Sequence, residues 1–136
     1  MNSLQILLLV CFIGLSLSIT GSDVVNCADN LKGAKYRSGA KGPTEFDCSG
    51  LAYYCHGSSI PINSEGQYAG GRPGTGAPGD LVFFSIDGNG VNHVGICIGN
   101  GQMIHAPNSH SVVRIETYEG NSYWQPKLVG FRRYAD

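Results

Sequence analysis

Apolar residues change their spacing along this chain, and each spacing predicts a different kind of element. From Leu4 to Leu17 they run almost without a break, interrupted only by Gln5, Gly14 and Ser16. The run is short for a membrane span, and Ser16 and Ser18 at its end supply the small residues that a signal peptidase requires. Residues 1–20 are therefore expected to be a secretory leader, cleaved near Ser18 to Ser22. Beyond it, Val24, Val25, Ala28 and Leu31 recur at helical spacing ahead of Gly33 and predict a first helix over Val24 to Leu31. Lys32 to Thr44, rich in Gly, Lys and Ser, reads as a surface loop. Asp47 is a good N-cap, and Cys48, Leu51, Ala52 and Cys55 continue an apolar stripe behind it, which puts Cys48 in the first turn of a second helix.

Ser64 to Ala69 predicts a short third helix, with Ser64 as its cap and Gln67 at the capping-box position. The Gly/Pro-rich stretch from Gly70 to Gly79 lacks a Gly-Lys-Ser/Thr ending and reads as a plain connector. From Leu81 onward the pattern becomes that of strands: Leu81 to Phe84, His93 to Ile98, Gln102 to Ala106, Val112 to Ile115 and Lys127 to Tyr134. Helices followed by strands predict an α+β fold, with the N-terminal helices packed on a central antiparallel sheet of about five strands.

A length of 136 residues suits one domain, expected over residues 21–136. The formal net charge of −1 gives no long-range field to attract nucleic acid or an anionic membrane. Neither is expected as a partner once the leader is gone, and the chain is expected to be a monomer. With 42% hydrophobic and 14% charged residues, the composition supports a packed core rather than disorder. Cys11 would leave with the leader, while Cys27, Cys48, Cys55 and Cys97 would pass through an oxidising route. If Cys48 stays a thiol, at most one intramolecular bridge can form among the other three, and spacing does not choose the pair. The Cys and His positions lack the short paired spacings of structural zinc, so neither metal nor cofactor is expected.

A cysteine at a helix N-terminus meets unpaired N–H groups and the positive end of the helix dipole, which favour its thiolate. His93 and His105 flank a hairpin, so whether their rings share a face depends on the parity of the connection. A three-residue Gly99-Asn100-Gly101 loop would pair Ile98 with Gln102 and Gly95 with His105, leaving both imidazoles on one face as diagonal neighbours. Gly95 would then make room for the His105 ring. If the helix bearing Cys48 packs on that face, nucleophile, base and orienting residue come into line as Cys48, His93 and His105. A histidine in third place brings no permanent negative charge to an imidazolium. Elsewhere, Asp80 is expected to stabilise a turn, Cys97 to pack in the core and Cys55 to lie buried beneath Cys48. His56 and His110 are expected in exposed loops, and Arg132 and Arg133 on a solvated strand edge.

Four segments taken in order resemble the NlpC-type cysteine peptidases, a branch of the papain-like fold. They are Asp47-Cys48-Ser49-Gly50-Leu51, Pro78-Gly79-Asp80-Leu81-Val82-Phe83-Phe84, His93-Val94-Gly95-Ile96 and Met103-Ile104-His105-Ala106. The resemblance implies an extracellular enzyme that hydrolyses peptides of bacterial peptidoglycan or its muropeptides, most often between γ-D-glutamate and the following diamino acid. It also implies that Tyr36, Asp47 and Ser49 hold the peptide's amino end. The backbone N–H of Cys48 is a candidate oxyanion donor. The competing readings are an N-acetylmuramoyl-L-alanine amidase, a non-catalytic module that binds the same peptides, and an acyl-transferase using the same thioester.

Overall fold

In a computed structural model, which describes residues 18–136, the first helix opens three residues earlier than its apolar spacing predicts. The Thr20 hydroxyl accepts the Asp23 N–H at 3.1 Å, and the Asp23 carboxylate accepts the Thr20 N–H at 2.9 Å. This capping box starts α1 (Gly21–Asn30). The expected leader and Cys11 lie outside the described residues, apart from the leader's last three positions. Among the described residues, no helix is long and apolar enough to cross a membrane.

The predicted surface loop contains β1 (Lys35–Tyr36), which pairs in parallel with β2 (Glu45–Phe46) just beyond the loop. Next come α2 (Cys48–Cys55) and α3 (Ser64–Ala69). The cap of α3 is Asn63, whose Oδ1 accepts the Gly66 N–H at 2.8 Å, and not Ser64. Gln67, expected in a capping box, is instead fully buried, and its amide donates to the carbonyls of Ser49 and Pro61. It fastens α3 to the first turn of α2.

The main sheet has six antiparallel strands, one more than expected, in the order β3-β8-β4-β5-β6-β7. They are β3 (Arg72–Pro73), β4 (Leu81–Phe84), β5 (His93–Gly99), β6 (Gln102–His105), β7 (Arg114–Thr117) and β8 (Leu128–Arg133). The additional strand, β3, lies in the supposed connector and pairs with Arg132 and Arg133. β7 begins two residues later than predicted, because Val112 only bridges to Lys35.

Both faces of the sheet are covered, which is why all four residues of β4 are buried. Leu81, Phe83, Val94, Ile96 and Ile104 pack against Val24, Ala28, Leu51 and Ala52 of α1 and α2. On the opposite face, Val82, Phe84, Cys97 and Met103 pack beneath Tyr118 and Trp124. The helices are pinned to each other by the Cys27–Cys55 disulfide. By loop-closure entropy a bridge of this separation stabilises the fold by about 3.5 kcal/mol. Cys48 and Cys97 stay free, and burial pushes the Cys97 thiol up to about 12, consistent with a packing role.

Several polar residues serve the frame more than their sequence context suggests. Asp80 is 1% exposed; its Oδ2 accepts the N–H groups of Thr75, Gly76 and Ala77, and its Oδ1 accepts from Arg133 at 2.8 Å. Arg133 is thus a buried-pair partner, and Arg132 donates to the Tyr68 carbonyl and lies over its ring. Neither belongs to a solvated edge. His56, expected in an exposed loop, is buried with Nδ1 at 2.8 Å from the Ala52 carbonyl.

The entrance to α2 depends on Gly50. The Asp47 N–H donates to the Ala40 carbonyl at 2.9 Å, and this draws that carbonyl over Gly50. A Cβ there would collide with the Ala40 oxygen and Asp47 Oδ1. Gly50→Ala is expected to cost about 2 kcal/mol of unfolding free energy through overpacking. Urea titration would measure it, and an unchanged midpoint would show that the loop yields freely.

Candidate active site

Cys48 is the first residue of α2, and Asp47 caps that helix by accepting the Gly50 N–H at 2.6 Å and the Ser49 hydroxyl at 3.3 Å. The other Asp47 oxygen accepts the Gly39 N–H at 3.0 Å. The backbone of Val94 in β5 lies close enough to the Cys48 thiol to act on its pKa. The sulfur therefore lies near the peptide that joins His93 to Val94.

This corrects the expected packing. The helix does not lie on the face that carries the imidazoles. It lies on the Val94, Ile96 and Ile104 face, while His93 contacts Phe84 and Trp124 on the other. Cys48 packs against the helix-side cluster, while the His93 ring belongs to the opposite face.

The two histidines do meet, by a different route from the one expected. β5 and β6 pair as Ile96 with Ile104, Cys97 with Met103, and Gly99 with Gln102. The turn is a two-residue Asn100-Gly101 connection with positive φ at both positions, 56° and 71°. Alone it would put the rings on opposite faces. A register shift between Cys97 and Gly99 adds one residue to β5 and restores the parity. The space over Gly95 is filled by Met103, not by the His105 ring, since a Cβ at Gly95 would meet the Met103 sulfur.

His93 Nε2 lies 2.8 Å from His105 Nδ1, and His105 Nε2 lies 2.9 Å from Glu116 Oε1. Glu116 was missed by sequence reasoning because the strand holding it was expected to end at Ile115. Arg114 binds the same oxygen through Nε at 3.0 Å and Nη2 at 2.9 Å, and Trp124 Nε1 donates to Oε2 at 3.1 Å. Trp124 also stacks on His93, with centroids 5.1 Å apart and planes at 24°. It sits in a loop, where no periodicity could have marked it.

Burial, followed by the charge of His105, pushes His93 down to about 3, against a smaller opposing pull from Glu116. His105 is also lowered, chiefly by burial. Burial would raise Glu116, but hydrogen bonds from His105, Trp124 and Arg114 overcome it and hold the carboxyl below its usual range. Both rings are therefore neutral at pH 7 and the carboxylate is charged. A carboxylate only accepts, so His105 donates from Nε2 and must accept at Nδ1. His93 then donates from Nε2, and its Nδ1 carries a lone pair. The terminal anion sets the tautomer of both rings.

The Cys48 thiol departs from expectation. Burial pushes it up, the Val94 N–H pulls it down, Asp47 raises it, and the Ser49 and Cys48 N–H groups lower it, with burial prevailing. The resting pair is thus thiol and neutral imidazole. Tyr36, half-buried, is raised by burial and then by the charges of Cys48 and Asp47. The structure thus brings Tyr36, Asp47 and Ser49 into the neighbourhood of Cys48.

Helices on one face of an antiparallel sheet, a free cysteine at a helix start and a buried histidine pair define an α+β domain of the papain-like class. The chain belongs to the NlpC/P60 family, whose pattern it matches over residues 33–133. It is 44% identical over 107 residues to a probable endopeptidase p60 of Listeria monocytogenes, covering 74% of this chain and 21% of that protein. To a gamma-DL-glutamyl hydrolase of Bacillus subtilis it is 38% identical over 120 residues, covering 82% and 29%. The structure of an NlpC/P60 family protein from Bacillus cereus superposes with a TM-score of 0.78 at 31% identity, covering 88% of this chain and 41% of that one. The chain spans about a fifth to a third of the length of these curated relatives.

Two outcomes follow from the relay. Nitrogen-15 NMR of the imidazoles should show Nε2 protonated and Nδ1 bare in both His93 and His105; a protonated Nδ1 on His93 would contradict the assignment. Because His93 binds its proton at about 3 when folded and near 6.5 when unfolded, the unfolded chain protonates first as the pH falls. Stability should decline from about pH 6.5 toward pH 3, by about 1.4 kcal/mol per pH unit from His93 alone. Thermal melts across that range would read it, and His93→Ala should flatten the slope.

Proposed function

We propose that this chain is a secreted cysteine endopeptidase that hydrolyses peptidoglycan stem peptides, at the bond between γ-D-glutamate and the following diamino acid. The observation that carries the reading is the bonded series Glu116, His105, His93 together with a free Cys48 at the start of α2, close to the Val94 backbone that follows His93. The names of the relatives, an endopeptidase and a γ-glutamyl hydrolase, support both reaction and bond. Since only a fraction of each relative is covered, the weight falls on the residues of this domain.

Cys48 is the nucleophile. As its sulfur bonds to the carbonyl carbon, its proton passes to His93 Nδ1, so no resting ion pair is needed. The oxygen that gains negative charge can take the Cys48 N–H. When the C–N bond breaks, His93 returns the proton to the leaving amine. Water, losing a proton to His93, then adds to the thioester; the C–S bond breaks as His93 returns that proton to the sulfur, and the product acid loses its remaining proton to solvent. His105 orients the base, and Glu116 supplies the fixed negative charge that a histidine in third place lacks.

Tyr36, Asp47 and Ser49 are assigned to the amino end of the peptide, where the Asp47 carboxylate would meet an ammonium. Within the window Ser18 to Ser22, leader removal ahead of Thr20 keeps the capping box of α1. The mature chain is read as an extracellular monomer.

The test is incubation of the mature chain with defined muropeptides under mild reduction, with products identified by mass spectrometry. Wild type should release a fragment ending in D-glutamate. Cys48→Ala and His93→Ala should lose about 1,000-fold or more, and His105→Ala and Glu116→Gln about 10- to 100-fold. Cleavage by Cys48→Ala at the wild-type rate, or no cleavage of any substrate in a broad panel, would sink the reading.

A further inference from the structure

Gln67 is fully buried, yet the docking of its helix does not rest on the amide. α3 is held through its main chain: the Tyr134 hydroxyl donates to the Gln67 carbonyl at 2.7 Å, and Arg132 Nε donates to the Tyr68 carbonyl at 2.8 Å. The Tyr68 ring also packs on Phe83, with centroids 5.1 Å apart. The amide itself is in an unfavourable place, because its Oε1 has no hydrogen-bond partner among the described residues. A methionine would fill a similar volume without that penalty. What the amide alone supplies is a pair of donors.

Those donors go to the Pro61 carbonyl at 2.9 Å and to the Ser49 carbonyl at 3.1 Å. The second bond bears on the site. The Ser49 carbonyl and the Gly50 N–H belong to one peptide unit, and that N–H donates to Asp47 Oδ1 at 2.6 Å. A single planar group therefore accepts from Gln67 at one end and donates to Asp47 at the other. It cannot turn at one end without moving the other, and bonds joined in this way polarise one another. The Asp47 carboxylate also accepts from the Ser49 hydroxyl at 3.3 Å and the Gly39 N–H at 3.0 Å. A carboxylate offers about four lone-pair positions, and these three donors leave little choice of where a further one can bind.

We propose that Gln67 is a positioning residue for Asp47: acting through the Ser49–Gly50 peptide, its amide fixes the direction in which the carboxylate meets the amino end of the substrate. The inference rests on the peptidase reading and on Asp47 as the partner of that ammonium. Without the amide, the first turn of α2 can rock, and the open lone pair of Asp47 no longer points one way.

The test compares L-Ala-γ-D-Glu-diaminopimelate with its N-acetylated counterpart, which carries no ammonium. Wild type should favour the free amine by about tenfold or more in kcat/KM. Gln67→Met should cut that preference by about three- to tenfold, mainly by raising KM for the free amine. In an Asp47→Ala background the preference should already be gone, and Gln67→Met should change it no further. A loss of rate shared equally by both peptides would mean that the amide only stabilises the fold, and overturns the proposal; so does a wild type that cleaves both alike. If Gln67→Met does not fold, or if no peptide is cleaved and the peptidase reading fails separately, the native amide is followed instead. Nitrogen-15 NMR of Cys48→Ala then tracks the Gln67 side-chain amide and the Gly50 N–H during titration with each peptide. Shifts of both signals with the free amine and of neither with the acetylated peptide support the positioning role; equal shifts, or none, overturn it.

Discussion

The ionised carboxylate of Glu116 is the group on which the candidate site depends. It cannot donate, so each ring between it and the sulfur has its donor and acceptor nitrogens assigned in turn. Two neutral imidazoles in contact have no intrinsic preference between the two directions of proton order. Hydrogen bonds from His105, Trp124 and Arg114 hold the carboxyl ionised at a partly exposed position, and Trp124 also stacks against the His93 ring. One loop tryptophan therefore covers the His93 ring and, through Glu116, helps fix its tautomer.

The sheet makes this arrangement compatible with a stable core. Side chains alternate along β5, so Val94 and Ile96 can be given to the helices while His93 belongs to the opposite face. The sulfur joins the two halves because it approaches a peptide, not a face. The Val94 backbone acts on its thiol, and Asp47, Gly50 and the buried Gln67 hold the start of α2 in place. The disulfide fastens the other end of the same helix to α1, so the bridge that an oxidising route would permit spares the cysteine that chemistry would need.

Burial has two consequences here that a helix-dipole argument does not foresee. It raises the thiol and lowers the imidazole, so the neutral pair rests lower than the ion pair. The same burial leaves the fold exposed to acid through His93, His105 and His56, all lowered. A site kept dry enough for directed proton transfer is, by the same physics, a source of instability below neutral pH.

What the sequence by itself determined was local: a capped helix beginning at Cys48, strands at Leu81, His93 and Gln102, helices before sheet, and the identity of three of the four residues in the series. These are readable because capping and period-two alternation act over a few residues. Tertiary structure alone decided which face the helix covers, how a bulge offsets a two-residue turn, which cysteines bridge, and that Glu116 and Trp124 complete the site. Each of those depends on where distant backbone segments come to rest. A register shift of one residue or a strand end misplaced by two, invisible to local pattern, changes which side chains can touch.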